Sequence, residues 1–241
     1  MQPRIIVRHP KIFSTPKAFA EAFGVKTRSA ERERASDWNR DFFMGGYPSP
    51  HLVRNAPDYY PALAAFFSAN KRDQRVFLGR MGLPTPVVGQ PPYVVRPLRH
   101  QGGEGWRITQ DRRDFNPERE YIASVFPKTN EYRLVYVHGT LQLMLTKIRA
   151  NPEVRLGTDV PWNHGNTQFQ TIPIETSNLL THTDCLQRLL NNRIIREAHY
   201  VGVDVLYNRR SRDWVICEFN SSPALQIPEN REKIVNFLRS L

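Results

Sequence analysis

Cysteine is nearly missing from this chain: Cys185 and Cys217 are the only two among 241 residues. Two thiols cannot build a disulfide framework, and they lack zinc-ligand spacing. Cys217 lies in an apolar run and reads as a small buried hydrophobe. No apolar run approaches the roughly 20 residues that a membrane-spanning helix needs. Met1 to Arg8 lacks the apolar stretch and cleavage site of a signal peptide. A reducing, cytoplasmic setting with no membrane partner is expected. There is no Gly-x-x-x-x-Gly-Lys-Ser/Thr loop, which argues against a P-loop enzyme, and no Gly-x-Ser-x-Gly or Cys/His arrangement for covalent catalysis. Internal repeats and low-complexity tracts are absent as well.

Acidic residues are also scarce, 23 against 34 Lys and Arg, for a net charge of +11. That balance favours anionic partners: nucleotide phosphates, nucleic acid or an acidic protein tail. The arginines are dispersed over Arg28 to Arg40, Arg96 to Arg113 and Arg209 to Arg212, which also suits an ordinary solvated surface. The length suffices for one large domain or two small ones.

The pattern predicts a strand at Arg4–Val7 and a helix at Pro16–Phe23, stopped by Gly24. Residues 25–50 are polar and read poorly. Helices are expected at Tyr59–Ser68 and Lys71–Met81, the second ended by Gly82-Leu83-Pro84. Strands follow at Tyr93–Arg96 and Arg119–Phe126, then a hairpin, Glu131–Val137 with Thr140–Lys147, around His138-Gly139. Residues 150–167 read as loop, Thr183–Ala198 as one amphipathic helix and Glu229–Leu238 as a short closing helix. Strand hairpins with segregated helices argue for an α+β fold.

The most informative stretch is Val201 to Tyr207 followed by Asp213 to Asn220. Two apolar strand-like runs flank the polar turn Asn208-Arg209-Arg210-Ser211-Arg212. Asp204 sits where a buried strand should carry an aliphatic residue. Glu218 and Asn220 are two apart and so point to one side of their strand. If the runs pair, three oxygen donors converge at one end of a sheet. Such hard donors suit Mg²⁺, which normally bridges to substrate phosphates. The competing reading is an ordinary hairpin with a solvated polar face. A second clue is the Arg96-Pro97-Leu98-Arg99-His100-Gln101-Gly102-Gly103-Glu104-Gly105 segment after a strand. Its glycines let backbone N–H groups approach phosphate oxygens, although a flexible turn has the same composition.

Gly202-Val203-Asp204, the hairpin, and Glu218-Phe219-Asn220-Ser221-Ser222-Pro223 together resemble the metal end of ATP-grasp carboxylate–amine ligases. The order of the other elements is similar too. The resemblance implies an ATP-grasp fold, two α+β subdomains clasping ATP after a short N-terminal α/β segment. Residues 1–70 would precede the grasp domain at 71–241, with subdomains at about 87–135 and 136–241. It implies phosphate contacts from Lys71, Arg96, Lys147 and the loop glycines Gly102, Gly103 and Gly105. Arg96 stands where the family usually has lysine. Ser124 and Val125 match the hinge that holds adenine through its backbone. Glu131 and Arg133 match the family's Glu-x-Arg strand, where the acid holds the ribose and the arginine faces the reacting groups. Asp204, Glu218 and Asn220 match the metal ligands, with Asn220 and Arg133 nearest the chemistry. Asn163 and His164 loosely match the acceptor side. The implied cofactors are ATP and Mg²⁺, or Mn²⁺ in its place. The implied reaction joins a carboxylate donor to an amine acceptor (an amino acid, a peptide or an acidic protein tail) through an acylphosphate. The Val-Arg-Pro and His-x-Gly-Gly forms resemble virus-encoded or accessory ligases of a glutamate-ligase-like branch. Two alternatives stay open: a basic nucleic-acid-binding module, and a degenerate ATP-binding protein without turnover.

Overall fold

The computed structural model describes residues 5–7, 20–22, 27–29, 36–39, 41–44, 47–99, 105–153, 155–157, 162, 165–176, 183–221 and 227–241. Five short strands open the chain: β1 (Ile5–Val7), β2 (Thr27–Ser29), β3 (Ser36–Asp37), β4 (Phe42–Phe43) and β5 (Val53–Arg54). β1 lies between β2 and β4, parallel to both, and β3 pairs in parallel with β5. Pairs of two or three residues have no hydrophobic period of their own, which is why residues 25–50 were opaque in the sequence. Most of the expected helix at Pro16–Phe23 lies outside the described residues.

Helices α1 (Tyr60–Ser68) and α2 (Lys71–Arg80) follow. Asn70 caps α2 by accepting a hydrogen bond from the Asp73 N–H at 3.0 Å, and Asp73 in the first turn complements the helix dipole. That cap fixes where Lys71 begins the helix.

Strands β6 (Tyr93–Pro97), β7 (Arg107–Thr109) and β8 (Glu120–Ser124) form an antiparallel sheet in the order β7-β6-β8. The larger sheet holds β9 (Asn130–Val137), β10 (Thr140–Arg149), β11 (Thr167–Ile172), β12 (Tyr200–Tyr207) and β13 (Trp214–Asn220). Its order is β11-β10-β9-β12-β13, antiparallel throughout. The break between the sheets falls between Ser124 and Asn130, so residue 135, the expected subdomain boundary, lies inside β9. β11 was not foreseen: in Thr-Gln-Phe-Gln-Thr-Ile only one interior residue is apolar. The β9–β10 hairpin forms as expected. His138 and Gly139 both take positive φ, 45° and 74°, as a two-residue turn matched to strand twist requires.

The expected helix Thr183–Ala198 is two helices, α3 (Cys185–Leu190) and α4 (Arg193–Glu197). Asn192 breaks it by accepting from the N–H groups of Ile194 and Ile195 at 2.9 and 3.4 Å. Its short amide outcompetes the helix backbone and starts a new cap. The chain closes with α5 (Pro228–Ser240).

One face of the large sheet carries Tyr132, Leu134, Tyr136, Val201, Val203, Val205 and Phe219, packed with Leu63 and Phe66 of α1, Leu78 of α2 and Leu189 and Ile195 of α3 and α4. The other face is divided. Val135, Val137, Leu143, Leu145 and Tyr200 pack with Ile234 and Val235 of α5. Beyond them, on the same face, come the charged residues. No described helix is long and apolar enough to cross a membrane.

Candidate active site

Register brings the charged residues together. Asp204 of β12 is directly opposite Arg133 of β9 and Glu218 of β13, and Asn220 is opposite Gly202. Asp204, Glu218, Asn220 and Arg133 therefore share a face. A β-bulge makes this possible. Asp204 pairs with Glu218, but Val205 pairs with Ile216, leaving Cys217 as the extra residue. Trp214, Ile216 and Phe219 are all in the core, a spacing of two and then three. Without the bulge Glu218 would share a face with Ile216 and point into the core.

The Arg133 guanidinium grips the Asp204 carboxylate with two hydrogen bonds, Nε to Oδ1 at 2.6 Å and Nη2 to Oδ2 at 2.7 Å. Arg133 also lies over the Phe169 ring, 4.3 Å from its centroid. The Asn220 amide donates to Asp204 Oδ2 at 3.3 Å. Lys71, from the first turn of α2, reaches the same end. Its Nζ is 3.6 Å from Glu218 Oε2 and donates to the Phe219 carbonyl at 3.3 Å and Asn220 Oδ1 at 3.5 Å. Burial alone would raise the pKa of Glu218; Lys71, Arg96, the Asn220 amide and Arg133 outweigh it and hold the carboxylate well below its usual range. Arg96 donates to Cys217 Sγ at 3.3 Å while its buried Nε has no partner. Burial works against the Arg96 charge, but Cys217, Tyr121 and Glu218 prevail and keep it protonated. Three cations thus surround one carboxylate.

A second cluster lies two residues from Arg133, toward the start of β9. Glu131 is 6% exposed and pairs with Lys128 at 2.9 Å and with Lys147. Burial pushes the Glu131 pKa up, yet the two lysines bring it below the ordinary carboxylate value. Lys147 also donates to the Trp162 carbonyl at 2.6 Å, and Lys128 lies 4.5 Å from the Trp162 ring centroid. A cavity of about 720 Å³ opens beside Lys147, Arg149, Trp162 and Thr129.

The structure therefore gathers Lys71, Arg96, Arg133, Asp204, Glu218 and Asn220 in one place, with Glu131 and Lys147 further along the same face. Ser124 and Val125, the expected backbone contacts to adenine, lie at the end of β8. Their N–H groups donate to the carbonyls of Val87 and Pro92, both at 2.9 Å, so these donors are not free for adenine. The adjoining segment crosses back and takes them. Gly105 is described and has φ of 64°; a Cβ there would lie 2.6 Å from Pro97 Cγ, so close packing on β6 needs glycine. Gly102, Gly103, Asn163, His164 and Pro223 lie outside the described residues. Cys217 is not the buried hydrophobe expected; Cys185, fully buried in the core, fits that description. Sequence reasoning missed Arg75, Lys128, Trp162 and Phe169. For Arg75 a signal existed, its place one helical turn after Lys71.

The donor set fits a hard divalent cation: two carboxylates and an amide oxygen at the end of a hairpin, with no hydrogen bond to them from a thiol or imidazole among the described residues. Among the described residues no group of three His, Cys, Asp or Glu could hold a metal, so Asn220 is needed to complete the set. Lys71, Arg133 and Lys147 are each ion-paired within the site.

No protein-family model matches the chain, and no curated protein matches it. Solved structures do. The ATP-grasp ligase PsnB complexed with a minimal precursor is 12% identical with a TM-score of 0.59, covering 100% of this chain and 98% of that one. The macrocyclase MdnC from Microcystis aeruginosa MRC, bound with precursor peptide MdnA, is 12% identical at a TM-score of 0.56 and covers both chains completely, 100% of each. The D-alanine–D-alanine ligase from Bacillus anthracis complexed with ATP is 12% identical at 0.52, covering 100% and 97%. The chain has the ATP-grasp fold, an α+β architecture.

Proposed function

We propose that this chain is an ATP- and Mg²⁺-dependent ligase that joins a carboxylate to an amine through an acylphosphate. The observation that carries the reading is Glu218: a carboxylate held ionised by Lys71, Arg96 and Arg133 at the end of a sheet in an ATP-grasp fold. Without nucleotide, the Glu218 and Asp204 carboxylates are paired with Lys71 and Arg133. With nucleotide, the same groups can exchange partners without leaving a buried charge alone. Asp204, Glu218 and Asn220 would hold Mg²⁺, which supplies charge neutralisation and orientation of the phosphates when bound. Lys71, Arg96 and Lys147 would face phosphate oxygens, where fixed cations stabilise charge that develops during transfer. Arg133, released from Asp204, would face the reacting carboxylate, and Glu131 the ribose hydroxyls. The carboxylate oxygen takes the terminal phosphoryl group and ADP leaves; the amine then attacks the acyl carbon and inorganic phosphate departs.

PsnB and MdnC were solved with precursor peptides. Together with the net charge of +11, this supports a peptide with acidic side chains as the carboxylate donor. Calorimetric titration with ATP, with and without Mg²⁺, tests the nucleotide site, and ADP release with amino acids and acidic peptides tests ligation. Metal-dependent ATP binding and peptide-stimulated ADP release are expected. Salt-sensitive RNA or DNA binding without ATP binding would overturn the reading.

A further inference from the structure

The bulge at Cys217 interrupts the β12–β13 ladder, and an extra residue in a strand leaves backbone groups that need other partners. Arg75 meets that need. It lies on α2, one turn after Lys71, and is 8% exposed. Its guanidinium lies over the Tyr121 ring, 4.6 Å from the centroid. Its Nε donates to the Cys217 carbonyl at 3.3 Å, and Nη2 is 3.9 Å from Cys217 Sγ. Nη1 is buried with no hydrogen-bond partner. Burying an arginine this deeply with one nitrogen unsatisfied is costly. A leucine or methionine would fill the space between α2 and Tyr121 at lower cost. Beyond its stacking on Tyr121, the guanidinium supplies what they cannot, a charged donor to the bulge.

We propose that Arg75 is a positioning residue that locks the Cys217 bulge and thereby turns Glu218 and Asn220 toward the metal site. The inference rests on the ligase reading for its consequence, and on the strand geometry alone for its cause. The bulge changes which face of β13 carries the carboxylate. Phe219 and Ile216 anchor it from the core side, and Arg75 anchors the carbonyl between them. Since Arg96 contacts the same sulfur, the β6–β8 sheet also bears on this point. The phosphate-facing cations and the metal ligands are thus set by one local irregularity. Arg75 itself touches neither group.

The test compares Arg75→Met, Arg75→Lys and Cys217→Ala with the wild-type chain by two measurements. The first is calorimetric ATP affinity with and without Mg²⁺. Arg75→Met should lose about tenfold of the metal-dependent gain in affinity while metal-free ATP binding stays within about twofold, and Arg75→Lys should recover part of the gain. Cys217→Ala should keep the metal-dependent gain, because Arg75 grips the carbonyl, and should change only the metal-free affinity, through Arg96, which donates to the sulfur. The second is hydrogen exchange in residues 214–220 without nucleotide. It should speed up about tenfold in Arg75→Met with β9 unchanged. Equal weakening of ATP binding with and without metal would overturn the proposal, as would unchanged exchange in β13 or a loss in Cys217→Ala equal to that in Arg75→Met. If Arg75→Met fails to fold, Arg75→Lys and Cys217→Ala decide by the same two measurements. A wild-type chain that binds no ATP would overturn the ligase reading instead, and the exchange measurement would still decide whether Arg75 fixes the strand.

Discussion

Arg133 and Asp204 are opposite one another on β9 and β12 and bond through both guanidinium and both carboxylate ends, at 2.6 and 2.7 Å. Their side chains are 12% and 6% exposed. This is a buried, bidentate ion pair in the middle of a sheet, where the proposed metal ligand is already occupied by the proposed substrate-facing arginine. The pair leaves neither of its two charges uncompensated, and it makes the site's stability and its function interdependent.

Breaking the pair from one side should be expensive. Arg133→Met or Asp204→Leu leaves a buried charge uncompensated and should each cost about 3–5 kcal/mol of folding stability. The double variant should cost less than the sum, with a coupling energy of about 1–3 kcal/mol. Urea denaturation of the four proteins measures this; strict additivity would mean that the pair contributes no mutual stabilisation.

Glu218 gives a prediction of two signs. Glu218→Gln keeps the shape but removes the charge that Lys71, Arg96 and Arg133 surround. Metal-free ATP should then bind more tightly, because the cations are released toward phosphate. The gain from Mg²⁺ should largely vanish, because a hard ligand is lost. Titrations with and without Mg²⁺ read both effects. A variant that weakens both equally would argue that Glu218 is a structural counter-ion and not a metal ligand.

Legibility in the sequence followed how local each cause is. Asp204, Glu218 and Asn220 stood out because oxygen side chains interrupt apolar runs with a strand period. The His138-Gly139 turn was legible for the same reason, its chemistry being contained in two residues. The bulge was not: Trp214 to Asn220 reads as one regular strand, and only pairing with β12 reveals that Cys217 is extra. That the N–H groups of Ser124 and Val125 are taken by Val87 and Pro92 was not legible either, since those partners belong to a segment more than 30 residues earlier. Cys217 was misjudged because its neighbours Arg75 and Arg96 come from α2 and β6, which composition around residue 217 cannot show. Splitting Thr183–Ala198 at Asn192 is the opposite case, since two consecutive asparagines are a local capping signal that a strong apolar stripe obscured.

The β9–β10 turn should tolerate little change. At Gly139, φ is 74° and an added Cβ would lie 3.2 Å from the Arg196 carbonyl oxygen and 3.3 Å from its Cα. Gly139→Ala combines left-handed backbone strain with a backbone clash and should destabilise by about 1–3 kcal/mol. Thermal or urea unfolding measures it. Gly82, also at positive φ but with open space around it, is the control: Gly82→Ala should cost less.

Acid sensitivity should come first from His199, buried beneath the N-terminal strands. His199 is 4% exposed, accepts a hydrogen bond from the Phe43 N–H at 3.3 Å, and lies 4.1 Å from the Trp38 ring and 4.6 Å from His138 between centroids. Burial, then the neighbouring His138, push its pKa well below the ordinary 6.5, and Asp41 offsets this only in part. His138 is shifted in the same direction, but its ring is exposed at the β9–β10 turn, where solvent screens the effect. Both folded values lie below the unfolded one, so the contribution is complete above about pH 6.5 and is lost as pH falls, because the unfolded chain takes up protons that the folded chain refuses. His199, neutral in the fold, costs up to about 1.4 kcal/mol per pH unit in that window. The carboxylates Glu131 and Glu218, with lowered values, add their loss only further down, below about pH 4.5. Stability by urea denaturation should therefore be flat from pH 8 to about 7 and slope downward from about 6.5 to 5. His199→Gln should be less stable at neutral pH and show a shallower slope. An unchanged slope in that variant would mean that the acid sensitivity arises elsewhere.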